Sequence, residues 1–501
     1  MVSSDAQHIG NPALDQSPRV RLYLALSLLL FFLAVWKGEP HGGYCDIRDY
    51  MRAAEALWLR GELFFVAESD EAPAYQRYTL GLPILSGPFV LAGHALEKWT
   101  NGFIGQRAVI ALIIPLMTVG AGLLIFAIGR ALECPARSCL WAVVLFALGS
   151  PILTFVRLYY IDMAVVFLVL LAIWSALRAL QAVGRADSSP YAWRWTALTG
   201  LSLAAITVTH YAASVMCCGL WLGTALGLLS LPGPTAGNAP RRRRYVALAA
   251  LCAVPVIAAA ALLAVNYYRF DSPFSSGYNL HRPDGTSSMF TTTTLGRNFV
   301  CLASFCWRVP WVLLGLWGLV LSAFSRAAPR ALFIGILLAL GGQVCLWLVF
   351  SELIRFPVRY PLPLLSLLVI GLLLAGRKLS RRWPRRGLAY SGLVCVCWNV
   401  AYFLRGEDVW PSFFIDPRRG PDVLCHVWYM TPFPSALSRG WGTPVGWTQA
   451  AVLLALLAGA SISLWLAFRE AARVETAEHL GRLPLFSPPL EGGGRGRGLP
   501  R

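Results

Sequence analysis

The sequence predicts an all-α polytopic membrane protein of about 12 transmembrane helices, with a long first extracytoplasmic loop that carries amphipathic helices. Three observations predict it. Hydrophobic residues make up 57% of the 501 and charged residues only 14%, too few charges to clothe a soluble enzyme of this size. Uncharged stretches such as 22–36, 108–128 and 331–350 approach or reach the ~20 residues that cross a hydrocarbon core. The formal charge of +18 is gathered into short connections between apolar runs, where basic residues set orientation. This excludes a nucleic-acid-binding role for the charge; Arg241 to Arg244 and the run from Arg377 to Arg386 are the plainest cases.

Taken in order, the apolar runs place spans at 20–36, 104–129, 138–156, 162–180, 195–210, 212–231, 245–267, 308–324, 331–350, 361–376, 387–404 and 448–468. The first follows Arg19 and Arg21 and has no small-x-small cleavage site after it, so it reads as an uncleaved signal anchor behind a cytoplasmic segment, 1–19. With the N-terminus inside, the inner connections hold roughly 23 of the 43 Lys and Arg in about 100 residues, against roughly 16 in about 165 residues outside. The transmembrane domain then spans 20–468, with outer loops near 37–103, 268–307, 351–360 and 405–447. A cytoplasmic tail, 469–501, is rich in Gly, Pro and Arg from about 482 and reads as disordered. Both termini are expected in the cytoplasm and the chain in a bacterial inner membrane. The 12 cysteines show no metal-ligand spacing; those in spans, such as Cys217, Cys218, Cys252 and Cys345, read as packing residues.

The loop from 37 to 103 carries nine carboxylates against six Lys and Arg, acidic within a basic protein. Its stretch 46–61 has apolar residues at helical spacing and ends on Gly61, the pattern of an amphipathic helix lying on a membrane. Asp46 opens it. Two readings of Asp46 stay open on this ground: a first-turn acid favoured by the helix dipole, or a carboxylate at the water–membrane boundary placed to deprotonate an incoming hydroxyl or amine.

Several stretches resemble the GT-C glycosyltransferases that use polyprenyl-phosphate sugars, in particular the protein-mannosyltransferase and aminoarabinose-transferase branch. Asp46, Tyr50 and Gly61 are similar to the acid, tyrosine and helix-ending glycine of that family's first loop. Tyr78-Thr-Leu-Gly-Leu-Pro resembles the segment leading back to the second span, and Tyr159-Tyr160-Ile161-Asp162 the acid at the start of the fourth. Asn266-Tyr-Tyr-Arg269 resembles the loop after the seventh span, and Arg355-Phe-Pro-Val-Arg359-Tyr360 the Arg-Tyr entry to a late span. Ile47 stands where many relatives carry a second carboxylate.

The resemblance implies an inverting glycosyltransferase with a polyprenyl-phosphate-linked sugar as donor and the bilayer as its medium. Asp46 is then the base, with Asp162 a second catalytic-site carboxylate. Arg269, Arg355 and Arg359 bind the donor phosphate, for which the guanidinium fork suits. Asp49, Tyr50 and Tyr78 face the acceptor, which is a protein, a glycolipid or a lipid A-like molecule. A divalent cation, Mg²⁺ or Mn²⁺, held by Asp46 and Asp162, is allowed but not required. His210 reads as a polar residue at a span end. A multi-span transporter and a non-catalytic membrane assembly protein are the competing classes; the first is disfavoured because the ionisable residues fall near span ends rather than within spans.

Overall fold

The computed structural model describes residues 18–35, 45–63, 79–156, 159–184, 192–231, 239–273, 295–325, 329–350, 359–379, 392–400 and 444–481. Every regular element among them is helical. In chain order these are α1 (Pro18–Val35), α2 (Cys45–Glu55), which runs on into a π-turn (Ala56–Arg60), α3 (Gly81–Leu85), α4 (Gly87–Trp99), α5 (Gln106–Ala111) and α6 (Ile113–Ala131). Then come α7 (Ala136–Ala147), α8 (Ile152–Phe155), α9 (Ile161–Gly184), α10 (Ala192–Thr209), a 3-10 turn (Tyr211–Ala213), α11 (Ser214–Ser230) and α12 (Ala239–Phe270). The last are α13 (Leu295–Arg308), α14 (Trp311–Ala323), α15 (Arg330–Leu348), α16 (Leu362–Leu379), α17 (392–400) and α18 (Pro444–Gly481).

Seven helices among the described residues are long and apolar enough to cross a membrane, and eight if α13 and α14 form one broken span; α7 and α16 are shorter apolar helices. The expected span at 138–156 is divided at Ser150-Pro151, because proline supplies no N–H and restricts the residue before it; α8 is a single turn beyond the break. The expected span at 308–324 starts at Trp311, since Pro310 caps α14 and α13 meets it at 97°. Part of the expected outer loop 268–307 is therefore helix α13. The amphipathic helix expected at 46–61 is present as α2 and its π-turn. It ends on Gly61 at φ 70°, the left-handed conformation only glycine adopts without cost, with the Gly61 N–H donating to Ala56 O.

The helices pack side by side: α9 on α6 and α10, α10 on α12, α11 on α15, α14 on α16, and α1 on α18. Ser27 Oγ donates to Ala460 O at 2.8 Å across the last of these. Two contacts bring backbones together, as small residues allow in lipid, where packing replaces the hydrophobic drive. Gly219-x-x-x-Gly223 of α11 faces Gly335 of α15, where an added Cβ would lie 2.5 Å from Gly223 Cα and 2.7 Å from Gly219 O. Gly371 of α16 meets Gly315 of α14 in the same way. Gly335→Ala is expected to cost about 1–3 kcal/mol through overpacking, seen as a lower Tm in detergent.

The two ends of the bundle differ. At one, Gln181 of α9 donates to Ala131 O at 3.3 Å, Arg377 pairs with Glu133 at 3.3 Å, and the far end of α18 reaches Arg130 and Arg137 through Glu478 and Glu475. Asp162 lies on the same helix as Gln181 but about 19 residues earlier, roughly 28 Å away at 1.5 Å per residue, close to the thickness of a hydrocarbon core. The ion pairs of basic connections and the residues discussed next thus occupy opposite ends.

Candidate functional site

Asp162 stands in the first turn of α9, where the helix dipole favours a negative charge. Arg359 and Pro361 precede α16, a placement in which proline loses no helical hydrogen bond. The two helices bring these residues together. Arg359 Nε donates to Asp162 Oδ2 at 2.8 Å, with both side chains buried. The guanidinium carbon lies 4.0 Å from the centre of the Tyr160 ring and 5.6 Å from that of Tyr360, cation–π contacts that hold it in one orientation. Tyr360 in turn meets Phe350 edge to face at 5.2 Å. Asp162 Oδ1 has no hydrogen-bond partner among the described residues.

The connection between α10 and α11 is the hub of this end. Thr209 O accepts from Thr79 Oγ1, and Gly81 packs so closely on the Thr209 backbone that no side chain fits there. His210 breaks the helix with an extended backbone, φ −152°. Burial pushes its imidazole below the ordinary histidine pKa, the Asp162 carboxylate opposing and Arg359 adding to the shift. Its Nδ1 also lacks a hydrogen-bond partner among the described residues. Tyr211 OH donates to Asn266 Oδ1 at 3.4 Å, and Arg269, buried at the end of α12, acts electrostatically on the same tyrosine. Ala212 O accepts from the Gln343 amide at 3.0 Å in the orientation that satisfies both its ends.

The first loop covers part of this end. Trp58 of the π-turn donates from Nε1 to Pro83 O at 3.0 Å and fills the space beside Gly87. Ser86 Oγ hydrogen-bonds Tyr159 OH, and burial holds that phenol protonated well above its ordinary range. Across the site, the Asn298 Nδ2 amino group of α13, with two N–H donors, lies 2.9–3.0 Å from Trp347 O, Leu348 O and Phe350 O at the end of α15. Asn298→Ala would remove this donor from Leu348 O and Phe350 O, and a loss of about 1–3 kcal/mol is expected, measurable by chemical or thermal unfolding in detergent.

Of the residues singled out in the sequence, Asp162, Arg359 and Arg269 thus gather at one end of the bundle. Asp46 is the second residue of α2, and its side chain lies outside the described part of the structure. Asp49 is partly buried in the same helix, and Tyr50 is 1% exposed within the core. Tyr78 and Arg355 lie outside the described residues. No three His, Cys, Asp or Glu side chains among the described residues come together to hold a metal ion, and Asp162 has one oxygen taken by Arg359. Asp46, the other carboxylate expected to hold a cation, has its side chain outside the described residues.

No protein-family profile matches the sequence, and no curated protein does. Solved structures do. ArnT from Cupriavidus metallidurans bound to undecaprenyl phosphate is 15% identical, matched over 90% of this chain and 77% of that one at a TM-score of 0.50. The apo form of the same protein is 15% identical, matched over 90% and 76% at 0.49. AglB, an oligosaccharyltransferase from Archaeoglobus fulgidus in complex with an inhibitory peptide and a dolichol-phosphate, is 13% identical, matched over 86% and 59% at 0.42. Over nine-tenths of its length, then, this chain is a multi-pass membrane protein whose fold is similar to that of ArnT.

Proposed function

We propose that the chain is a membrane glycosyltransferase that moves a sugar from a polyprenyl-phosphate donor to an acceptor at the bundle end holding Asp162 and Arg359, with inversion at the anomeric carbon. One observation carries the reading. The stretches around Thr79, Asp162, Asn266 to Arg269 and Arg359, remote in sequence and each similar to a GT-C motif, converge on the Thr209–Ala212 hub or on one another. Convergence of that kind is what a site assembled from span ends and outer loops requires.

In this reading the donor's tail stays in lipid and its phosphate sits at the interface, within the field of Arg269 and Arg359, with Arg355 a third cation. Asp46 takes the proton of the acceptor hydroxyl as that oxygen attacks the anomeric carbon. The bond from carbon to phosphate oxygen breaks, and polyprenyl phosphate leaves with the electron pair. Its growing charge is offset by the arginines, so the leaving group needs no proton donor. Asp162 fixes Arg359 in place, while Asp49 and Tyr78 line the acceptor side of the loop. The acceptor is a protein, glycolipid or lipid A-like molecule on the face away from the cytosol of a bacterial inner membrane, with both termini cytoplasmic.

Detergent micelles separate this from transport, because a micelle supports no gradient. Purified protein incubated with the polyprenyl-phosphate lipid fraction of a strain lacking the gene, plus that strain's membranes as acceptor, is expected to release polyprenyl phosphate. No release from a fraction shown to contain polyprenyl-phosphate sugars overturns the reading.

A further inference from the structure

Two contacts fix the register of α10 against α12. A Cβ added at Gly200 of α10 would lie 3.2 Å from Leu251 O and Pro255 Cδ and 3.3 Å from Val254 Cβ of α12. Tyr211, just past the end of α10, meets Asn266 of α12 at 3.4 Å. The two helices therefore run in parallel. Followed back from the first contact by about two turns, they bring Trp193 of α10 beside Arg244 of α12, on the faces that carry Gly200 and the buried Ala247 and Leu251. The helix from Arg244 to Asn266 is about 33 Å long at 1.5 Å per residue, close to the thickness of a hydrocarbon core. Arg244 thus stands at the membrane boundary opposite the hub.

Arginines gather on both sides of this junction. Arg242 and Arg243 are exposed beside the half-buried Arg244, and Arg194 is exposed on α10. The Arg194 guanidinium carbon lies 6.0 Å from the centre of the Trp193 ring, within reach of a cation–π contact. In the sequences of α9 to α12 the acidic residue is Asp162, which belongs to the hub end, so the junction lies in a region of net positive charge. An exposed apolar stripe leads from the arginines along α12 toward the hub, with Tyr245, Val256 and Ile257 66–67% exposed. Leu201, about two turns beyond Arg194, extends it on α10. Charge and stripe together select the ligand. A soluble anion makes no use of the stripe, and a zwitterionic headgroup brings no net charge to the cations. An amphiphile with an anionic phosphate headgroup uses both, its oxygens on the guanidinium forks and its acyl chains on the stripe.

We infer that Arg194, Arg242, Arg243 and Arg244, with Trp193, form a binding site for the phosphate headgroup of an anionic phospholipid in the leaflet opposite the hub. Basic clusters where spans leave the hydrocarbon recognise anionic lipids in this way, each arginine near the surface strengthening the attraction by about fivefold. The cluster then does more than orient the chain: it holds one lipid at a defined junction of two helices. Binding of this lipid is separate from the proposed reaction and is read without turnover.

The test titrates the full-length protein in detergent with phosphatidylglycerol or with phosphatidylcholine of the same acyl chains, counting bound lipid by native mass spectrometry. The unaltered protein is expected to bind phosphatidylglycerol in preference to phosphatidylcholine. Arg194→Gln combined with Arg243→Gln is expected to weaken phosphatidylglycerol binding by about tenfold or more and to leave phosphatidylcholine binding unchanged. Arg469→Gln combined with Arg473→Gln removes the same charge from exposed positions of α18 at the same end of the bundle and is expected to change neither. Glycerol 3-phosphate, which carries the anion without acyl chains, is expected not to compete at equal concentration. Equal binding of the two lipids by the unaltered protein overturns the inference. So does unchanged phosphatidylglycerol binding in the first double variant, or an equal loss in the second, which would assign the effect to the overall charge of that end. Competition by glycerol 3-phosphate as effective as that of the lipid overturns the membrane source of the ligand.

Discussion

Asp46→Asn is expected to reduce turnover by about 10²–10⁴-fold while expression and Tm stay close to those of the unaltered protein. The substitution keeps the size of the side chain and removes only its ability to take a proton. Its position, second in the amphipathic helix α2, makes the competing explanation specific. A first-turn carboxylate that only complements the helix dipole contributes about 0.3–1 kcal/mol, and asparagine is as good a cap as aspartate. In that case Asp46→Asn would shift Tm slightly and leave turnover alone. The two roles therefore differ in which measurement moves, and parallel assays of polyprenyl phosphate release and thermal unfolding decide between them. Ile47, in place of a second acid, makes the effect of losing Asp46 larger, since no neighbouring carboxylate stands ready to replace it.

Removing one partner of the Asp162–Arg359 pair is expected to have the largest effect on stability. Both side chains are buried, and their contact is a charge-assisted hydrogen bond of 2.8 Å. Taking away the arginine leaves a carboxylate in a low-dielectric interior with no cation on it, a loss of about 3–5 kcal/mol. Arg359→Met should therefore lower Tm strongly, and so should Asp162→Leu. The double variant should be less unstable than the sum of the two, because replacing both charges by apolar groups removes the desolvation cost along with the attraction. A double-mutant cycle on unfolding free energy measures that coupling. Turnover should not recover in the double variant, since the cation beside the donor phosphate is still gone. A double variant that regains both stability and activity would make the pair purely structural.

Much of the architecture was legible because lipid imposes one rule on every span. Runs such as 108–128 must be apolar and helical, and they appear in α5–α6. What the sequence hid were the interruptions. Pro151 and Pro310 sit in apolar surroundings, where hydropathy reads straight through them, yet each ends a helix and redirects the chain. The close contact of Gly219-x-x-x-Gly223 with Gly335 joins residues far apart along the chain and is given only by the fold.

The candidate site was partly legible. Asp162 and Arg359 were each marked out by charge at a span end, and by resemblance, but nothing local announces that they pair across some 200 residues of chain. His210 was set aside as a polar residue at a span end. It stands in a hub whose other residues are met from remote segments, Thr209 by Thr79, Tyr211 by Asn266 and Ala212 by Gln343, a convergence that no single stretch of sequence encodes. Tyr50 lies in the core on the buried side of α2, in keeping with the helical spacing of apolar residues over 46–61.

The central claim is that this chain consumes a lipid-linked sugar. The most direct measurement compares, by mass spectrometry, the polyprenyl-phosphate lipids of membranes from a strain lacking the gene, the same strain carrying the intact gene, and one carrying Asp46→Asn. A polyprenyl-phosphate sugar should accumulate in the first and third and disappear in the second. A lipid pool identical in all three would contradict the claim.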